Sequence, residues 1–425
     1  MNTDVAEMKW LDDEKLWEVT LVHMAVGTGD LSSRERQQRI DQQGEQSVYL
    51  KRETIRAKVI ASCVGGLVEP KDWPDHIQGR ETFEGDMFHS ARWNSDVDLT
   101  AKDVIVLGTG CSAAQFSTLL TKPPYNAKSV TQLMRSPPWV VPKAKPPFGP
   151  EVWGKWSAYL FDRVPGVGRF FRTFVWLVSE IDYYTLMHDT PSNRKARAKV
   201  EAQLMEHMKR TVPEKYHEIL APDYSVACKR RIFDEYWFET MDDPNYKLTT
   251  QPLTSVQARS VTLGPGRTYP PMSKTDSKAP TDQVELPADT IILANGFDLK
   301  TWLHPLTVRG RGNKLLQDVW DERGGPQAYM GTAMDGFPNF FIIFGPNTAT
   351  GHSSVILAIE NMINYSIKFM KPLLKGDIEV VDVKKDAEVA WTKAMQEELK
   401  ATVWMSGGCQ SWYFSANGWN AVGYP

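Results

Sequence analysis

Two glycines behind an apolar run are the residues of this chain best suited to hold a reactive group. Residues 104–107 read VIVL, a buried strand. Gly108-x-Gly110-x-x-Ala113 follows, and residues 111–120 (CSAAQFSTLL) read as a helix. A strand that delivers a glycine turn to a helix N-terminus makes an anion site. The first glycine permits the turn. The second lets the backbone approach a diphosphate with no Cβ in the way, and a small third residue lets helix and strand pack closely. Ser112 and Gln115, in the first turns of that helix, join the same binding set. A second strand over 130–134 completes a βαβ unit, and Arg135 stands at its end. An NAD site carries an acid near this spot and an NADP site a cation, so Arg135 predicts selectivity for NADPH.

Other chemistries fail on their motifs. No Tyr has Lys four residues on, as a short-chain reductase needs. Gly351-His352-Ser353-Ser354-Val355 lacks the last glycine of a serine-hydrolase elbow, and His217-Glu218 is followed by Ala221 where a zinc-protease helix has its second histidine. The four cysteines, Cys63, Cys111, Cys228 and Cys409, are far apart and form no CxxC pair. They predict neither a metal site nor a disulfide framework, and they fit a reduced, cytoplasmic compartment.

A second constellation has no explanation in periodicity. Residues 83–94 (FEGDMFHSARWN) read Phe83-x-Gly85-x-x-x-His89-x-x-x-Trp93. Together with the glycine turn, this segment resembles the fingerprint of the Baeyer–Villiger branch of the flavin-containing monooxygenases. Further pieces follow in family order. Residues 222–231 (PDYSVACKRR) resemble the segment with the active-site arginine, here Arg230, which places Lys229 near the NADPH phosphate. Residues 336–354 resemble the flavin-contacting loop, with Asn347 in it. Residues 409–413 (CQSWY) resemble the closing segment, whose Trp412 reaches the nicotinamide ribose.

The resemblance runs from about residue 10 to 412. It implies NADPH and FAD as cofactors and an apolar ketone and O2 as substrates, with a part in natural-product oxidation. It gives Arg230 the task of stabilising anionic oxygen with a charge that is never lost. It also implies that the family's earlier glycine-rich unit, which seats FAD, has no counterpart in this chain. The early Gly27-Thr28-Gly29, followed by Asp30, reads as a surface turn. The alternative reading is therefore a flavin-free descendant, acting as a non-redox enzyme or as a binding or regulatory protein.

The elements that must position these residues are legible in outline. The expected fold is α/β, with two dinucleotide-binding domains. The first (FAD) domain is incomplete, built from residues 1–98 and 290–425. An NADPH-binding Rossmann domain spans 99–289, with a helical insert at about 151–220. Strands are expected at 17–24, 57–62, 288–298 and 339–344, and a helix at 355–374. Ser32-x-x-Glu35 reads as a capping box opening a polar helix. In the insert, Ala196, Val200, Leu204 and Met208 form an apolar stripe with Lys and Arg opposite. The apolar stretch 170–187 is broken by Arg172, Glu180 and Asp182. It falls short of a membrane span and reads as a substrate-side helical insert, with membrane-surface contact as the alternative. Composition is that of a globular protein, 42% apolar and 24% charged, and a net charge of −3 argues against nucleic-acid binding. The 15 Trp suit a broad apolar pocket as well as a large core.

Overall fold

Val104 and Val106 point to one face of a strand and Ile105 and Leu107 to the other, and all four are apolar. Such a strand must be covered on both sides. The computed structural model shows it so. It describes residues 2–29, 31–143, 146–234, 236–271, 280–298, 302–303, 305–409, 411–415 and 417–425, so Asp30 and Gln410 lie outside the described residues. The chain divides into two compact units.

One unit comprises residues 71–296 and 406–409. Its centre is a five-stranded parallel sheet. In spatial order the strands are Tyr246–Thr249, Ser129–Leu133, Asp103–Leu107, Thr290–Leu293 and Asp86–His89. On one face, Val104, Val106, Val130 and Ile292 pack against Ala113, Ala114 and Leu120 of helix Cys111–Leu120. On the other, Ile105, Leu133, Ile291 and Leu293 pack against an antiparallel meander of Leu253–Val256, Ser260–Leu263 and Val284–Pro287. The expected βαβ unit is thus present, in register from Asp103↔Ser129 to Leu107↔Leu133.

The expected boundaries at 98/99 and 289/290 differ from the observed division at 70/71 and 296/297. The reason is pairing: Asp86–His89, within the fingerprint, hydrogen-bonds in parallel to Thr290–Leu293 at the sheet edge. The insert forms three helices, Pro150–Arg163, Val167–Leu186 and Pro191–Thr211. In the last, Leu204 and Met208 are buried as expected, but Arg197 breaks the expected division into apolar and cationic faces. It is 3% exposed, donates to the carbonyls of Leu186 and His188 at 2.9 and 3.0 Å, and pairs with Asp189 at 2.7 Å.

The other unit comprises residues 1–70, 297–405 and 410–425. Strands Thr3–Leu11, Leu16–Met24 and Tyr49–Ala57 run antiparallel, and Thr307–Arg309 joins the first in parallel. Trp17, fully buried, donates from Nε1 to the Pro338 carbonyl at 2.8 Å and packs on Phe340. The expected strand at 57–62 is two pieces: Tyr49–Ala57 ends in the antiparallel sheet, and Ile60–Ser62 pairs instead with Phe340–Ile342. Helix Ser33–Gln43 carries the capping box, from Glu35 N–H to Ser32 Oγ at 3.1 Å and from Ser32 N–H to Glu35 Oε2 at 2.7 Å. That helix buries no residue, and the strand before Gly27 is antiparallel to both neighbours. The turn at Gly27 therefore belongs to no βαβ unit.

Candidate dinucleotide site

The glycine turn is built from beneath by a polar side chain in a buried strand. Gln132 is fully buried; its Nε2 donates to the Gly108 carbonyl at 2.8 Å. Its Oε1 accepts from Trp237 Nε1 at 2.9 Å and from the Tyr246 hydroxyl. Each member of this network is buried, so each must be satisfied, and the network fixes the turn. Burial pushes the Tyr246 phenol well above its ordinary range, so it stays protonated and donates.

Gly108 has φ +120°, and a Cβ there would run into the Ala294 carbonyl. Gly110 differs. Its φ is −73°, and an added Cβ would meet nothing within 4 Å. The space in front of Gly110 is open. Helix Cys111–Leu120 begins there without a side-chain cap, and its first backbone bond runs from Ala114 N–H to the Gly110 carbonyl at 2.9 Å. The amides of Cys111, Ser112 and Ala113 therefore face outward at the positive end of the helix. Ser112 and Gln115 are exposed at this end, and Ala113 is buried against the sheet.

Arg135 and Lys229 meet at the end of the second strand. Lys229 Nζ donates to Ser136 Oγ at 3.2 Å and lies 4.2 Å from the centre of the Tyr224 ring. Burial, and then the charge of Arg135, push the Lys229 ammonium down to about 8. The loop carrying Lys229 is tied down by Tyr224, which donates to the Pro137 carbonyl at 2.8 Å and accepts from Trp139 Nε1 on its own carbonyl at 2.8 Å. Arg230 is exposed and hydrogen-bonds the Cys111 thiol at the helix start. Burial raises that thiol's pKa, and Arg230 opposes it. Contacts spanning 93 positions, from Ser136 to Lys229, and 119, from Cys111 to Arg230, thus bring this loop to the strand end and to the helix start.

A correction concerns the cysteines. Cys228, next to Lys229, is joined in a disulfide to Cys409, with Cα atoms 6.0 Å apart. Only Cys63 and Cys111 are free. Spacing of 181 residues hides such a pair from any local motif, and the expectation of four reduced thiols does not hold.

The fingerprint divides in two. Phe83, Gly85 and Trp93 pack. Trp93 stacks edge-on against Phe88, Phe116 and Tyr125, with centroids 5.3, 5.4 and 5.9 Å apart. A Cβ on Gly85 would strike the Asp289 carbonyl and the Phe83 ring. His89 faces the loop after Thr290–Leu293. Its Nδ1 accepts from Ala91 N–H at 3.0 Å, and Asn295 and Gly296 hydrogen-bond the ring. Burial holds its pKa below the usual histidine value against those two bonds. Asn347 and Trp412 lie in the other unit. The Asn347 amide donates to the carbonyls of Asn420 and Gly423 at 2.7 and 2.9 Å, so in this chain it holds the C-terminal segment. Trp412 is half exposed and packs on Tyr413 at 4.5 Å. Among the described residues, no group of acids, histidines or cysteines is placed to hold a metal ion.

The chain is 30% identical over 376 residues to a Baeyer–Villiger monooxygenase of Streptomyces coelicolor, covering 88% of this chain and 66% of that one. The chain belongs to the Baeyer–Villiger monooxygenase family. It is also 28% identical over 430 residues to the FAD-binding monooxygenase ktnD of Aspergillus niger, covering 100% of this chain and 62% of that one. Among solved structures, its fold matches cyclohexanone monooxygenase from a Rhodococcus species bound to NADP+, with a TM-score of 0.69 and 22% identity. That match covers 99% of this chain and 75% of the other. No family model matches the chain. The chain spans about two thirds of the length of the curated relatives it matches. The architecture is that of the Baeyer–Villiger enzymes, α/β with two dinucleotide-binding domains.

Proposed function

We propose that the chain binds NADPH at the glycine turn and serves an FAD- and NADPH-dependent Baeyer–Villiger oxygenation of an apolar ketone. In that reaction one atom of O2 enters beside the carbonyl, giving an ester or lactone, and the other leaves as water as NADPH is oxidised. The observation that carries the reading is the open space at Gly110, at an uncapped helix start where Arg230 reaches Cys111, one residue along from Lys229 and its neighbour Arg135.

These residues fit NADPH. The amides of residues 111–113 suit a diphosphate, and Arg135, Lys229 and Ser136 suit a 2′-phosphate. Ser112 and Gln115 flank the same turn, and Arg230 brings a permanent charge to the helix start. Gly85 and Trp93 fix the edge strand that carries His89. FAD, when bound, supplies the coupling of NADPH oxidation to O2. Its assignment rests on family membership and on the FAD-binding relative. Among the described residues, the unit containing Asn347 and Trp412 shows no βαβ glycine turn for a second diphosphate, so those residues are assigned no step in flavin chemistry.

The test is twofold. Calorimetry with NADP+ and NAD+ reads the nucleotide site, with NADP+ expected to bind more tightly. Incubation with FAD, NADPH, isotope-labelled O2 and a panel of cyclic and linear ketones reads the chemistry, with one labelled oxygen expected in the product. Absence of NADP+ binding would overturn the site. Binding without labelled product would overturn the reaction alone.

A further inference from the structure

We propose that the helical hairpin of Pro150–Arg163 and Val167–Leu186 is a membrane-surface anchor that seats on anionic lipid. The inference is independent of the nucleotide site. The hairpin's own core is small: Trp153, Phe161 and Phe171 meet with centroids 5.2 to 6.0 Å apart. Beyond that, no residue of the first helix is buried, and only Leu186 is buried in the second.

What faces water is apolar. Phe170, Phe174, Leu177, Ile181 and Tyr184 follow one another at spacings of four and three residues, which places them on one side of the helix. Phe170 is 74% exposed, Ile181 62% and Tyr184 66%. Trp156 and Tyr159 of the first helix are exposed as well. A soluble protein rarely leaves so continuous an apolar stripe uncovered without a partner for it.

Charge identifies the occupant. Between residues 152 and 179 stand Lys155, Arg163, Arg169 and Arg172 against one acid, Asp162, a net +3 in a chain whose total is −3. The other acids of the hairpin, Glu151, Glu180 and Asp182, lie at its base, where Asp182 pairs with Arg231. Arg163, Arg169 and Arg172 thus share the projecting end with aromatic rings and one acid, Asp162, while the other three acids of the hairpin lie toward its base. That distribution matches an interfacial element, whose rings enter the headgroup boundary while Arg and Lys meet lipid phosphates. Neither helix is long and apolar enough to cross a membrane, so the hairpin lies on the surface of the bilayer.

Sedimentation with vesicles tests this. The chain should pellet with phosphatidylcholine vesicles containing phosphatidylglycerol, and much less with phosphatidylcholine alone. Added salt should release it. The triple variant Phe170→Ser, Phe174→Ser, Ile181→Ser should lose at least about tenfold in partitioning, because each substitution withdraws an exposed ring or branched chain from the boundary. Its melting temperature should stay unchanged, since none of the three is buried. Failure of the parent chain to pellet with anionic vesicles would overturn the proposal. So would pelleting that the triple variant retains. A parent chain that stays in the supernatant and elutes as a dimer, with the variant monomeric, would overturn lipid as the occupant in favour of a second copy.

Discussion

The cationic pair at the end of the second strand gives the most specific test of the nucleotide site. Lys229 titrates at about 8, depressed by burial and then by Arg135. A 2′-phosphate between the two cations reverses both causes, because it favours the charged ammonium. Affinity for NADP+ therefore falls as pH rises through the value of the ligand-free protein. Between about pH 7 and about pH 9 the charged fraction drops from nine-tenths to one-tenth. If the phosphate lifts the ammonium by two units or more, the dissociation constant rises about tenfold across that interval. On the acid side the phosphate itself takes up a proton near about pH 6. The affinity for NADP+ should thus peak between the two.

Arg135 contributes differently. It is exposed, so its attraction for a phosphate about 4 Å away is closer to the roughly 1 kcal/mol of a watery setting than to the roughly 4 kcal/mol of a half-buried one. Arg135→Ala should weaken NADP+ about five- to tenfold and NAD+ by less than about twofold. It also removes one cause of the Lys229 depression, so the alkaline fall in NADP+ affinity should shift to higher pH. Lys229→Met should flatten that limb. Calorimetric titration with both nucleotides across pH reads all of this. Equal losses for NADP+ and NAD+ in Arg135→Ala, or an alkaline limb that survives in Lys229→Met, would refute the assignment.

Three other outcomes follow from the geometry. Gly108→Ala should destabilise the fold by about 1–3 kcal/mol, since φ is +120° and the Ala294 carbonyl blocks a Cβ; Gly110→Ala should leave the melting temperature unchanged yet weaken NADP+, and similar melting losses for both would defeat the contrast. Alkylation of the unfolded, unreduced protein should label two thiols, and four after reduction, by intact mass; closing a loop of 181 residues stabilises by up to about 5 kcal/mol, so reduction should also lower the melting temperature. Glu388, fully buried beside Asp335 and Arg323, is pushed up to about 7 by burial and by its bond to Asp335. Its stabilising contribution is complete below its unfolded value and is lost as pH rises through about 7, so urea midpoints should decline across that window and Glu388→Gln should flatten the decline; an unchanged profile in the variant would count against it.

The glycine turn and its sheet were legible because their signals are local. VIVL, two glycines and a small residue dictate strand, turn and helix within ten positions, and the structure puts them there. The capping box was legible for the same reason. Strand Thr3–Leu11 did leave a local sign, since Met8 and Trp10 alternate into the core and its partner Leu16–Met24 follows directly; the meander from Leu253 to Pro287 left little, because its runs are only four residues long. The disulfide and the pairing of Asp86–His89 with Thr290–Leu293 are long-range. Gln132 left only a faint local sign, because its strand Ser129–Leu133 also carries Ser129 and Thr131; once buried, its amide has to be satisfied, and its partner proves to be the turn. Arg197 left the same sign on the insert's apolar stripe.

These features bear on one another. The loop with Lys229 and Arg230 is held by three independent ties: Tyr224 and Trp139 to the strand-end loop, the disulfide to Cys409, and Arg231 to Asp182 at the base of the hairpin. Each acts on a different neighbour, so removing one leaves the others in place. A double substitution of Cys228 and Cys409 to Ser should therefore lower stability while leaving the preference for NADP+ over NAD+ nearly intact. Loss of the Tyr224 hydroxyl in Tyr224→Phe acts directly on the loop beside Lys229, and should erode that preference with a smaller loss of stability. The opposite ranking would mean that the disulfide, rather than Tyr224, sets the position of the cations.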